Sequence, residues 1–149
     1  MTTLVIGGSG FLGTELVQQA TGAGYMTVAT YATKPGKNSQ AMWHTLDLRD
    51  PGQIDAVMAE VRPHLVINAS SGGADWAVTA EGPIRLAMTV AKYGTPLIHV
   101  STDAVFSGAR SHYDESCRPD PLTRTGRPKR RRRPVSSPCI RRPQSPVPH

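Results

Sequence analysis

Seven residues near the start of the chain, Gly7-Gly8-Ser9-Gly10-Phe11-Leu12-Gly13, restrict the fold more than any other feature. They follow Thr3-Leu4-Val5-Ile6, a short apolar run of the kind buried on both faces of a parallel sheet. From Gly10 the pattern turns helical, with Leu12, Leu16, Val17 and Ala20 on one face and Gly22 and Gly24 closing it. Glycines between a strand and a helix permit a tight turn, approach of backbone to a pyrophosphate and close helix–strand packing. The N–H groups and dipole of the helix N-terminus then favour phosphate. Two registers fit: Gly8-x-Gly10-x-x-Gly13 and Gly7-x-x-Gly10-x-x-Gly13. A glycine-rich turn without a ligand is the plainer alternative, and the strand–turn–helix context weighs against it.

The rest of the chain repeats the same grammar. Thr27-Val28-Ala29-Thr30-Tyr31 reads as a second strand, followed by a Lys/Gly/Pro/Asn loop and an extended piece around residues 43–46. Asp50-Pro51 combines a cap with proline at the first helical position. Ile54, Val57, Met58 and Val61 then share a helical face until Pro63, and Leu65-Val66-Ile67-Asn68-Ala69 is the next strand. Ile84, Ala87, Met88 and Ala91 give a further helical stripe, stopped by Gly94 and Pro96, before Leu97-Ile98-His99-Val100-Ser101. Strands separated by helices form βαβ units, whose crossovers force a parallel sheet. The expectation is an α/β fold, a Rossmann-type doubly wound parallel sheet of about five strands, incomplete for want of a sixth strand.

Charge divides the chain. All 11 acids lie in residues 1–122 with only eight of the 17 Lys and Arg, so this part is net −3. Residues 123–149 are net +9, with eight Arg, six Pro and almost no apolar periodicity. That composition predicts a disordered tail over 123–149 behind a nucleotide-binding domain over 1–122. Lys129 to Arg133 are five consecutive cations that would bind phosphates in a salt-dependent way. No aromatic or reading motif accompanies them, so no specific nucleic-acid partner is expected. No apolar stretch is long enough to span a membrane, and no signal peptide precedes the first strand, which predicts a cytoplasmic protein. Cys117 and Cys139 are too few and too unpatterned for a metal site or a disulfide framework.

The second glycine register, with Phe11-Leu12 before the last glycine, resembles extended short-chain dehydrogenases/reductases. The most specific stretch is Ser101-Thr102-Asp103-Ala104-Val105-Phe106-Ser107-Gly108. Its pattern, Ser-Thr-Asp-x-Val-Phe-x-Gly, resembles dTDP-4-dehydrorhamnose reductases and their sugar-nucleotide relatives. Tyr113-Asp114-Glu115 and the prolines after it continue the likeness, which runs from residue 1 to about 122. The resemblance implies NAD(P)-dependent reduction of a keto group on a nucleotide sugar, with a homodimer as an admissible assembly. Gly7, Gly10, Phe11, Leu12 and Gly13 would cradle the dinucleotide, and Asp47 and Leu48 would meet the adenine. Asn68-Ala69-Ser70-Ser71 is similar to the family segment that lines the nicotinamide-side ribose. Thr102 would hydrogen-bond the substrate carbonyl while a tyrosine donates the proton and a lysine four residues later lowers its pKa. A strand-end threonine can also simply cap a turn.

NAD-specific proteins of this fold place an acid at the end of the second strand to hold the ribose hydroxyls. Here that place falls near Thr30 or Tyr31, with Thr33, Lys34 and Lys37 beyond it. No acid repels a 2′-phosphate there and two cations attract one, unless both are merely solvated. NADP is therefore favoured over NAD.

The pattern breaks where the family carries Tyr-Gly-x-x-Lys. Gly126 and Lys129 fit, but Thr125 stands in the tyrosine slot, and its hydroxyl is far too weak an acid to replace a phenol. A frameshift accounts for this: Ala codons GCG read one base out become Arg codons CGG. Reframing one coding of residues 123–133 restores Tyr and Lys at the family spacing, with an alanine-rich helix after them. The chain is then a cofactor-binding fragment, inactive by itself, with an exposed sheet edge that makes it poorly soluble or partner-dependent. Read literally, Thr125 instead favours a non-catalytic NAD(P)-binding regulatory protein. Ala80-Glu81-Gly82 stands where relatives carry an Asn, and residues 70–75 lack the usual Thr and Glu, which leaves the sugar open.

Overall fold

The computed structural model describes residues 1–120, and the expectations for Thr125, Lys129, the boundary at Leu122 and the basic tail lie outside the described residues. Residues 1–101 form one compact unit, and a second begins at Thr102. The first unit runs β1 (Thr2–Ile6), α1 (Phe11–Gly22), β2 (Met26–Tyr31), β3 (Met42–Thr45), α2 (Pro51–Val61), β4 (Leu65–Asn68), α3 (Gly82–Lys92) and β5 (Leu97–His99). A π-helical turn, Ala77–Glu81, leads into α3 and has no signature in the apolar pattern.

All strand pairs are parallel, in the order β3-β2-β1-β4-β5. The chain moves outward from β1 to β3, then returns to the other side of β1 for β4 and β5. This reversal is what places helices on both faces, the doubly wound arrangement expected from the sequence. Burial along β1 reflects it. Leu4 and Ile6 join Val28, Leu46, Ile54, Val57, Met58, Val66, Leu86 and Val90 in a core under α2 and α3. Val5 points the other way, to a smaller cluster with Val17 of α1, Ala29 and Ala41.

Local chemistry fixes the helix boundaries. Asp50 caps α2, its Oδ1 accepting from the N–H groups of Gly52 at 2.8 Å and Gln53 at 3.4 Å, with Pro51 in the first turn. Arg62 ends α2 in the left-handed region, at φ 43°. One expectation is overturned on α3. The Ile84, Ala87, Met88, Ala91 stripe does not face the core; Ile84 is 61% and Met88 64% exposed. The buried face is Gly82, Leu86, Thr89 and Val90. Among the described residues β5 forms a sheet edge, with Ile98 and Val100 exposed.

The described part of the second unit opens with a single 3-10 turn, Asp103–Val105. Phe106 stacks on Tyr113 with ring centroids 4.4 Å apart. Ser107 binds Asp120 through its N–H at 3.0 Å and its hydroxyl at 2.7 Å.

Candidate functional site

The expected glycine turn lies at the carboxyl end of β1, between β2 and β4, where the strand order reverses and open α/β sheets bind ligands. Gly7 has φ +75°, a conformation that L side chains rarely adopt, and a Cβ there would come within 2.8 Å of the Ser70 Cα. At Gly13 a Cβ would collide with the Gly7 carbonyl. The turn closes through the Gly10 N–H on the Gly7 carbonyl at 3.0 Å. Gly8 is tight as well, where a Cβ would come within 2.7 Å of the Ala29 Cβ, so both registers have a steric reason for their first glycine and Gly7 alone adds a left-handed backbone. Gly10 caps α1 without a side-chain hydrogen bond, and the first turn carries no acid, so its N–H groups face outward without a built-in anion. Phe11 is fully exposed and Leu12 is 40% exposed.

The other candidate residues stand at or beyond the carboxyl ends of β2, β3 and β4. Thr30 of β2, placed at the strand end from sequence, is buried and accepts the Gly7 N–H on its hydroxyl at 3.1 Å, a contact the sequence did not indicate. Tyr31 is half-buried beside Trp43, centroids 6.4 Å apart, and Lys34 and Lys37 beyond it are exposed. Asp47 accepts the Arg49 N–H at 2.9 Å, and the Arg49 guanidinium bridges Asp47 at 3.5 Å and Asp75 at 3.0 Å. Leu48 belongs to the core, so what it offers a ligand is backbone rather than side chain. Asn68 is buried at the end of β4, and the Ala69 N–H binds the Ile6 carbonyl at 3.0 Å. Ser70 is half-buried and Ser71 exposed. The set Gly7, Gly10, Gly13, Asn68, Ala69 and Ser70 is contiguous in space although it comes from segments some 60 residues apart.

In the second unit Thr102 is exposed and caps its 3-10 turn. Its hydroxyl oxygen accepts the Ala104 N–H at 3.2 Å and donates to Asp103 Oδ1 at 3.1 Å. The capping role weighed from sequence is therefore present. The Asp114 carboxyl is held below the usual carboxylate range by the Ser116 hydroxyl first, then the Ser116 N–H and the Cys117 thiol. A lowered carboxylate pKa contributes stability above its unfolded value, and this is lost as pH falls through the folded one. Among the described residues no group of His, Cys, Asp or Glu has metal-binding geometry, and no helix is long and apolar enough to cross a membrane.

Comparison with known proteins agrees with this geometry. The family model described as "RmlD substrate binding domain" matches residues 1–132. A probable dTDP-4,6-dihydroxy-2-methyloxan-3-one 4-ketoreductase of Streptomyces antibioticus is 33% identical over 143 residues, covering 87% of this chain and 44% of that protein. The crystal structure of a hypothetical dTDP-4-dehydrorhamnose reductase from Sulfolobus tokodaii superposes with a TM-score of 0.74 at 26% identity, over 85% of this chain and 48% of that one. The UDP-glucose 4-epimerase of Thermus thermophilus in complex with NAD gives 0.68 at 25% identity, over 81% and 45%. The chain spans less than half the length of the curated relatives it matches.

Proposed function

From a chain that belongs to the family of the RmlD substrate binding domain, we propose a dinucleotide-binding half of a reductase that acts on a keto group of a nucleotide sugar. The observation that carries it is the turn itself. Gly7 holds a left-handed backbone against Ser70, and the uncapped N-terminus of α1 lies at the switch point of the sheet. These residues fit a pyrophosphate: the helix end supplies donors, the glycines leave room, and no local acid repels the charge.

In this reading Gly7, Gly10 and Gly13 admit the pyrophosphate, with the Phe11 and Leu12 backbone opening the helix beneath it. Asp47 and the Leu48 backbone border the adenine, and Asn68, Ala69, Ser70 and Ser71 border the second ribose. Tyr31 and Lys34 take the 2′-phosphate side, which makes NADP the preferred dinucleotide. The bound cofactor would supply hydride. Thr102 would turn its hydroxyl from the Ala104 cap to a substrate carbonyl, and Lys129 would hold a ribose. Proton donation by a tyrosine has no counterpart at Thr125, so this chain binds dinucleotide without turning over. The same reading carries a cytoplasmic setting, where free dinucleotide is available. Thr125 also supports the second reading, a non-catalytic NAD(P)-binding regulatory protein.

Titrating the purified chain with NADPH and with NADH, followed by nicotinamide fluorescence, tests the proposal. We expect saturable binding, tighter for NADPH, and loss of that preference in Lys34→Glu. Absence of binding to either would refute it.

A further inference from the structure

We propose that His99 is a positioning residue that sets the floor of the dinucleotide turn through Asn68; the inference rests on the dinucleotide reading above. Hydrogen-bond chemistry fixes the roles in this cluster. The Ser70 N–H and the Ser70 hydroxyl both approach Asn68 Oδ1, at 3.1 Å and 2.6 Å. A backbone N–H can only donate, so this end of the amide is the carbonyl oxygen and the other is the NH2 group. That NH2 group lies 3.1 Å from His99 Nδ1. An amide NH2 also only donates, so Nδ1 accepts and the ring proton sits on Nε2.

The consequence reaches the glycine turn. Asn68 is 1% exposed, so an amide deprived of its acceptor has no water to turn to. Ser70, held by Asn68, is the residue whose backbone a Gly7 Cβ would strike at 2.8 Å. Gly7 in turn donates to Thr30 at 3.1 Å. The series His99, Asn68, Ser70, Gly7, Thr30 therefore ties together the carboxyl ends of β5, β4, β1 and β2. His99 is itself exposed and acts on the turn only through Asn68. Without the Nδ1 acceptor the Asn68 amide is free to turn, Ser70 loses a fixed partner, and the wall behind Gly7 loosens.

The test compares the full chain with His99→Phe and His99→Asn by NADPH titration, alongside thermal unfolding and 15N NMR of the imidazole. Phenylalanine keeps a planar ring without the acceptor, whereas asparagine can place a carbonyl oxygen where Nδ1 stands. We expect His99→Phe to weaken NADPH binding about tenfold, the loss typical of a buried donor left unpaired, and His99→Asn to restore most of it. The 15N shifts should show a protonated Nε2 and an accepting Nδ1. Equal binding by wild type and His99→Phe would overturn the inference while leaving the dinucleotide reading intact, as would a proton on Nδ1 or an asparagine variant as weak as phenylalanine. A wild-type chain that binds no dinucleotide would overturn both. Should His99→Phe fail to fold, the asparagine variant and the wild-type 15N shifts still decide the outcome.

Discussion

Gly7 meets two independent demands, a left-handed backbone at φ +75° and a wall of Ser70 backbone at 2.8 Å. Gly10 has negative φ and meets only the Gly7 carbonyl, at 3.2 Å. The two should therefore respond differently to the same added methyl. We expect Gly7→Ala to lower the unfolding free energy by about 2 kcal/mol, as local backbone strain does, and to abolish NADPH binding. Gly10→Ala should keep most of its stability, and urea denaturation with a parallel titration would separate the two. The glycines were legible in the sequence because their spacing is local. The contacts of Thr30 with Gly7 and of His99 with Asn68 were not, because each is made across the sheet. A threonine or histidine in an apolar strand carries no sign of which neighbour it will meet.

At the scale of elements, boundaries were more legible than faces. Asp50-Pro51, Arg62-Pro63 and Gly94 mark helix ends through backbone chemistry that operates within a few residues. The orientation of α3 depends instead on what lies beneath it. Two apolar sets run along this helix, Ile84 with Ala87, Met88 and Ala91, and Leu86 with Val90. The sheet takes the second, with Gly82 seated so close to Leu48 that a Cβ would come within 2.7 Å of its side chain. Periodicity alone ranks the larger stripe first, and close packing at Gly82 reverses the order. Leu86→Ala should cost about 3 kcal/mol, the usual result of emptying a core position. Ile84→Ser should stay within about 0.5 kcal/mol of the parent, as exposed substitutions do. Denaturant midpoints of the two variants would check the assignment of faces directly.

For the whole molecule the same exposures add up. Ile84, Met88, Ile98 and Val100 leave apolar surface on α3 and along the β5 edge of the described fold. Unpaired edge strands and apolar patches promote association between copies. We expect light scattering of the purified chain to rise with concentration, and the double change Ile84→Ser with Met88→Ser to reduce that rise. Scattering independent of concentration would show that this surface is inert. The parallel, doubly wound sheet of five strands was the global feature best read from sequence, since right-handed crossovers leave few arrangements for such a series of elements.

The pairing of β1 with β4 also governs when the turn can exist. Thr3 faces Leu65 in register, and Ser70 supplies the wall behind Gly7. The glycines of the turn, among the first residues to leave the ribosome, must wait for a partner some 60 residues downstream, and closing a loop of that span costs roughly 4 kcal/mol of chain entropy. Nucleation is then left to nearer contacts such as β1 with β2, and the glycine turn assembles late in folding. A nascent chain halted before β4 would carry every glycine of the turn and still lack the turn.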